Sequence, residues 1–399
     1  MLRQVIERLE SGELTPQAVL ELCLQRIAVA DPAIHAWVEV NPQAGTGDGL
    51  LRGIPFGAKD IIETRGMATE YGSALYAGRK GERDASVVGE LRGAGAVLLG
   101  KTHTTAFASF DPAPTDNPRL PGHTPGGSSS GSAAAVAAGM APFALGTQTL
   151  GSVLRPASFC GVCGFKPSFG LISMEGVLPF APSLDTLGFF TESAADMECL
   201  WSRGFGGQSD ATFRRAAYFR VPVEEPMARA VGDAVERLRA CGVPVIDAEL
   251  PEGWDLTARA ARVINDYEGA RTHAGRFQEF GERIGKRLAE LVRRGLEIAE
   301  GEYEGAREQV ERTRLELSRI FWEYPAIVSA AAMGAAPSGL GSTGDPGVNA
   351  PWTALGVPAI SVPLMVSGGP LGLQINGAWG RDDAVVTVAA DAERLLGGG

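Results

Sequence analysis

The stretch GGSSSGSAAAVAAGMAPFALGTQTLGSVLRP, residues 126–156, decides how this chain is read. It opens on a Gly/Ser run, Gly126 to Ser132, and closes on Gly151-Ser152 just ahead of Arg155-Pro156. Glycine and serine at both ends mark two turns. The run between them is almost all alanine, and its pattern predicts a helix over 132–138 that begins at a serine cap. Methyl-sized side chains let such a segment pack closely against its neighbours. Two serine-bearing turns around one tightly buried segment suggest that the turns, rather than the segment, carry the chemistry.

Working outward, the whole chain has 399 residues, of which 45% are hydrophobic and 21% charged, an ordinary globular balance. The net charge of −11 argues against a general nucleic-acid binder. The N-terminal MLRQVIERLESGELTP is charged throughout and lacks the apolar core of a signal peptide. No apolar run is long enough to span a bilayer, with Gly139, Pro142 and Pro363 breaking the best candidates. The expectation is a cytoplasmic protein. Five scattered cysteines do not form a disulfide framework. Cys160-Gly-Val-Cys163 has no second pair near it and reads as buried small residues rather than a metal or redox site.

Residues 1–30 show helical spacing, with Leu2, Val5, Ile6 and Leu9 on one face and Thr15-Pro16 opening a second helix through Ile27. A short strand or turn is expected over 53–58, a helix over 86–92 and a buried strand over 96–99. Loop is expected over 104–131. Residues 255–323 are dense in charge, with Leu288, Leu291 and Val292, then Leu315, Leu317, Ile320 and Phe321, recurring at three and four. That spacing predicts a helical surface subregion. Residues 325–379 return to strand-like runs such as Val357 to Val362. Interleaved strands and helices predict one α/β domain over 1–399, with 255–323 as a subregion within it.

Gly95-Ala-Val-Leu-Leu-Gly100-Lys101-Thr102 matches the pattern of a phosphate-binding loop. Its variable positions are Ala-Val-Leu-Leu, which favour a strand, and exposing them around a phosphate would be costly. Nucleotide binding is therefore set aside. For serine chemistry a base is needed. His35, His103, His123 and His273 are the four histidines, and His123 lies near the serine run, but Ser152 lacks the G-x-S-x-G elbow. The other base is lysine, which loses its proton more readily in an apolar pocket. Lys59 follows the apolar Ile54-Pro-Phe-Gly-Ala. By residue type alone, a solvated lysine or one paired with Asp60 is the favoured reading.

These motifs together resemble the amidase signature family. Gly126 to Ser132 with the Ala-rich run, Gly151-Ser152, Pro156-Ala-Ser-Phe-Cys-Gly161, Gly164 to Pro167 and Gly53 to Asp60 carry the resemblance. So do Gly100-Lys-Thr102, Ser183 to Gly188, Asn349 to Pro363 and Pro370 to Gln374, so it covers nearly the whole chain. It implies a single α/β/α sandwich domain around a large mixed twisted sheet. It implies a catalytic Lys59, Ser128 and Ser152, with Ser152 as nucleophile, Ser128 as the bridging serine in a cis peptide and Lys59 as base. By the same analogy Thr149, Leu150, Gly151 and Ser152 supply an oxyanion turn, and Gly126 and Ser129 belong to the substrate-binding set. No metal or organic cofactor is implied.

The chain departs from the family pattern in three places. The usual Asp-x-Gly-Gly-Ser is here Gln148-Thr-Leu-Gly-Ser152, so Leu150 stands for a glycine and is strained if that turn needs positive φ. Ser130 also replaces a glycine. The usual arginine is shifted to Arg155, in a pattern that resembles malonamidase-like members whose matching arginine binds a substrate carboxylate. Arg155 is thus a candidate anion anchor, with a structural salt bridge to Asp185 as the alternative. The leading expectation is an amidohydrolase that cleaves a small-molecule carboxamide to ammonia, with no nucleic-acid or membrane partner and with a homodimer as the default assembly. The first alternative is the amidase (A) subunit of a tRNA-dependent amidotransferase, which passes ammonia to a partner. The second is a non-catalytic binding or assembly subunit. Pocket walls are expected from within residues 255–345.

Overall fold

The computed structural model describes residues 1–397. Its centre is one mixed sheet of eleven strands: β1 (Trp37–Gln43), β2 (Pro55–Lys59), β3 (Val97–Thr102), β4 (Phe143–Gln148), β5 (Cys163–Lys166), β6 (Thr186–Thr191), β7 (Ala216–Phe219), β8 (Val245–Ala248), β9 (Ala326–Ala330), β10 (Ala359–Val366) and β11 (Gly369–Asn376). They lie in the order β1-β3-β2-β4-β6-β5-β10-β11-β9-β7-β8. β2 runs parallel to both β3 and β4, β7 runs parallel to both β8 and β9, and the strands between these groups pair antiparallel. Helices cover the sheet, so β2, β4, β6 and β9 are buried along their whole length. Burial on both faces is why these strands read as continuous apolar runs rather than alternating ones.

The helix Ser130–Ala137 explains the composition of the opening stretch. Every one of its residues is buried. Ala134 and Ala135 pack with Cys23 and Ile27 of the helix Pro16–Ile34, while Ala133, Val136 and Ala137 pack with Ala144, Val153, Ala157 and Phe190. Backbone is therefore approached from two sides, and larger side chains would overfill the space. The serine cap expected there is absent: the helix starts at Ser130, and its N-cap Ser129 makes no side-chain capping bond. Ser132 instead bonds Thr102 Oγ1 at 2.7 Å and donates to Leu145 O at 2.8 Å. These hydroxyls tie the helix to β3 and β4.

Thr15 accepts from Ala18 N at 3.1 Å and starts the second helix, which runs to Ile34 rather than Ile27 and ends at His35 in the left-handed region (φ 55°). The phosphate-loop pattern is strand β3, with Lys101 wholly buried and donating to Ile62 O and to Thr69 Oγ1. Residues 255–323 lie almost entirely in the helices Trp254–Phe280, Lys286–Glu297 and Glu300–Glu323, and the first packs against each of the other two. Leu315 does not join that packing and points outward, 68% exposed. No described helix is long and apolar enough to cross a membrane.

Candidate active site

The two serine-bearing turns meet beyond the carboxyl ends of β2 and β4, where parallel α/β sheets tend to open a crevice. β2 ends on Lys59, and β4 ends on Thr147 and Gln148. The first turn, before the helix Ser130–Ala137, carries a cis peptide between Gly127 and Ser128. The second, Thr149 to Val153, leads into the helix Leu154–Cys160. Two glycines make the turns possible. Gly126 has φ 83°, and a Cβ there would lie 2.9 Å from Pro156 Cα. A Cβ on Gly151 would lie 2.6 Å from Asn349 Oδ1.

Lys59 is wholly buried. Its Nζ lies 2.7 Å from Ser128 Oγ, 3.0 Å from Ser129 Oγ and 2.8 Å from Thr147 Oγ1. None of the ion pairs among the described residues includes Lys59, and the Asp60 carboxylate is turned away to accept from Glu70 N and Gly72 N, both at 3.0 Å. Burial pushes the Lys59 amine well below the ordinary lysine range, opposed in part by the charge of Asp185. An ammonium with three hydroxyl neighbours and no anion in contact is expensive to bury, so the neutral amine is favoured.

Ser128 and Ser152 line one small cavity of about 20 Å³ with Thr149, Leu150, Gly151 and Arg155. Its rim comes from Ala108 to Phe110, Phe180, Asn265, Thr343 and Pro346. Asn265 and Thr343 fall in the 255–345 region expected to wall the pocket, and Pro346 lies just past its end. That volume holds roughly one water. Clefts of about 300 Å³ around Phe213 and about 480 Å³ around Met365 are larger, but neither contains these serines. The Lys59–Ser128 contact, rather than volume, makes the small cavity the candidate site. None of the four histidines lines the small cavity.

Side chains reinforce the backbone bonds of the second turn, in which Gly151 O accepts from Arg155 N at 3.1 Å. Gln148 Oε1 accepts from Val153 N at 2.9 Å and Leu154 N at 3.0 Å, and Gln148 Nε2 donates to Thr353 Oγ1 at 2.9 Å. Thr353 in turn donates to Leu150 O at 2.6 Å. The N–H groups of Leu150, Gly151 and Ser152 have no hydrogen-bond partner among the described residues. Adjacent to the Ser152 hydroxyl, they are free to donate hydrogen bonds to a bound group. Leu150 does not adopt positive φ, so the strain considered for it does not arise.

Arg155 is buried and donates through Nε to Thr343 O at 2.7 Å and through Nη2 to Gly127 O at 2.6 Å. Its Nη1 is buried without a partner among the described residues. Burial lowers its pKa to about 10, which leaves the guanidinium charged at neutral pH. The alternative of a salt bridge to Asp185 is overturned, because Asp185 accepts instead from Thr149 Oγ1, Phe180 N and Ala181 N.

Two residues of the expected substrate-binding set do not line the cavity. Gly126 lies behind it, its carbonyl accepting from Ser130 Oγ at 2.7 Å, and Ser129 faces Lys59 and Thr147. Three residues escaped the sequence reading. Thr147 had no signal beyond its place ahead of the turn. Gln148 stood out only as a departure from a pattern. Asn265 is a buried amide inside a long helix, and a polar residue on an apolar face is the signal that could have drawn attention to it.

A family model described as Amidase matches residues 18–211. The A subunit of the glutamyl-tRNA(Gln) amidotransferase of Thermus thermophilus is 32% identical, with 97% of this chain and 95% of the relative covered. A crystal structure of an amidase superposes with a TM-score of 0.88 at 29% identity, covering 98% of this chain and 99% of the other. The corresponding A subunit from Thermotoga maritima superposes with a TM-score of 0.84 at 28% identity, covering 98% of this chain and 94% of the other. With sequence likeness of this extent and a common fold, the chain belongs to the amidase signature family.

Proposed function

We propose that the protein hydrolyses a primary carboxamide, releasing ammonia, through an acyl-enzyme on Ser152. The observation that carries this reading is the buried, acid-free Lys59 in contact with Ser128, which shares its cavity with Ser152. A neutral amine has two N–H groups and one lone pair. Ser129 gives its hydroxyl proton to Thr147 O, so it can only accept from Lys59. With a second N–H directed at Thr147, the lone pair is left for the proton of Ser128. Ser128 then takes the proton of Ser152 as its oxygen attacks the amide carbon, and the N–H groups of Leu150 to Ser152 receive the oxyanion. The relay returns that proton to the leaving nitrogen, and water attacks the ester along the same path.

Arg155 supports a substrate that bears a carboxylate. Its Nη1 is a charged donor without a protein acceptor among the described residues, beside the reacting groups, and an anion would satisfy it.

The fate of the ammonia separates two readings. The curated relatives favour the amidotransferase A subunit over the free-standing small-amide hydrolase, since that likeness runs over nearly the full length of both chains. The alignment with the relative from Halothermothrix orenii spans 465 positions, so that relative carries insertions this 399-residue chain lacks. On this reading glutamine is the amide and further subunits take up the ammonia. The intact Lys59, Ser128 and Ser152 speak against a non-catalytic role.

The test is ammonia release from glutamine and from a panel of small amides by the chain purified alone and by whatever complex it forms in its own cells. Glutamine turnover that depends on co-purifying subunits supports the amidotransferase reading, and turnover of small amides by the lone chain supports the hydrolase. Ser152→Ala is expected to abolish turnover in either case. A mutant with the wild-type rate removes Ser152 from its role and overturns the chemistry common to both.

A further inference from the structure

Asp185 lies in the loop before β6, buried, and both of its oxygens are occupied. Oδ1 accepts from Thr149 Oγ1 at 2.6 Å, and Oδ2 accepts from Phe180 N at 2.7 Å and Ala181 N at 3.1 Å. Thr149 belongs to the nucleophile turn and Phe180 to the cavity rim, so one carboxylate joins two lining segments. Its charge also acts on Lys59.

We propose that Asp185 is a positioning residue for the reaction: it fixes the nucleophile turn, through Thr149, against the cavity wall at Phe180. This rests on the reading of Lys59, Ser128 and Ser152 as the reacting groups. Two physical consequences follow. The short bond to Thr149 restrains the turn whose N–H groups receive the oxyanion, where small displacements are costly. The negative charge opposes the desolvation of Lys59, so it keeps the amine basic enough to accept a proton. Burial raises the Asp185 carboxyl to about 6, with Glu268 of the helix Trp254–Phe280 raising it further and the three hydrogen bonds opposing. The titratable groups it interacts with electrostatically are Lys59 and Glu268.

The experiment is the pH profile of kcat/KM for the wild type, Asp185→Asn, Thr149→Val and Thr149→Ser, each normalised to the sites labelled by a fluorophosphonate. Asparagine can keep the backbone bonds through its carbonyl and still meet Thr149 through its amide, so it removes charge with little change of shape. Without that charge the Lys59 amine loses its proton at lower pH. The acid limb of the Asp185→Asn profile is therefore expected to move to lower pH while the plateau falls, because the base is weaker. A limb and plateau that superimpose on the wild type overturn the electrostatic part. Thr149→Val is expected to lose about tenfold in kcat/KM, the equivalent of one charge-assisted hydrogen bond, and Thr149→Ser to recover it. Valine at the wild-type rate, or serine no better than valine, overturns the positioning part. Should Asp185→Asn not fold, the Thr149 pair decides alone. A Ser152→Ala enzyme that still turned over would instead overturn the underlying site assignment, a separate result from these.

Discussion

Replacing Lys59 with methionine should separate a neutral lysine from a charged one by a measurement that does not depend on substrate. The folded-state pKa of Lys59 is depressed, whereas the unfolded chain holds it near 10.5. Above pH 10.5 both states are neutral and the group costs nothing. As pH falls below 10.5, the unfolded state takes up a proton that the folded state refuses. The wild type then loses about 1.4 kcal/mol of stability per pH unit from this group until the folded pKa is reached. Methionine carries no such term. It does leave Ser128 and Thr147 without their lysine partner, at about 0.5–1.5 kcal/mol each, while Ser129 keeps its bonds to Thr147. The mutant is thus less stable by about 1–3 kcal/mol above pH 10.5. It should overtake the wild type roughly one to two pH units lower. Urea unfolding of both proteins from pH 7 to 10.5 gives the difference directly, and the other buried lysines, Lys101 and Lys166, cancel from it. A difference that stays flat across that range, with the wild type more stable throughout, means that Lys59 is charged in the fold and refutes its role as base. Turnover by the mutant should fall by about 10²–10⁴, the usual loss when a general base is removed.

Arg155→Ala removes the bonds to Gly127 O and Thr343 O as well as the free Nη1. All amides should therefore lose kcat, but the preference for carboxylate-bearing over neutral amides should fall by about 10–100-fold, which KM ratios will show. An equal loss for both classes would make the arginine structural. Gly151→Ala places a Cβ 2.6 Å from Asn349 Oδ1, so it should lower the melting temperature and reduce kcat more than KM. Leu150→Gly restores the family's glycine, yet Leu150 is buried and does not use positive φ. It should cost about 2–5 kcal/mol in urea unfolding and bring no gain in specific activity, and a faster enzyme would show that the turn does want glycine.

Much of the site was legible because its parts are local. Gly126, Gly151 and the alanines between them are dictated by turns and close approach, and such demands leave a mark on adjacent residues in the chain. Burial of Lys59 was suggested by the apolar run before it, and the strand character of residues 97–102 by Ala-Val-Leu-Leu. What stayed hidden is whatever depends on partners far apart in sequence. The helix Ser130–Ala137 lacks its expected serine cap because its hydroxyls meet β3, β4 and Lys59 instead. Charge makes Asp185 a plausible partner for Arg155, yet it bonds Thr149 and the amides of Phe180 and Ala181. Leu150 looked like a liability only while the turn's φ was unknown. Sequence by itself determined which residue types meet at the site, since tight turns and buried bases admit few alternatives. Only the tertiary structure decided which of them touch, because a hydrogen bond takes whatever donor the packing of distant strands brings within about 3 Å.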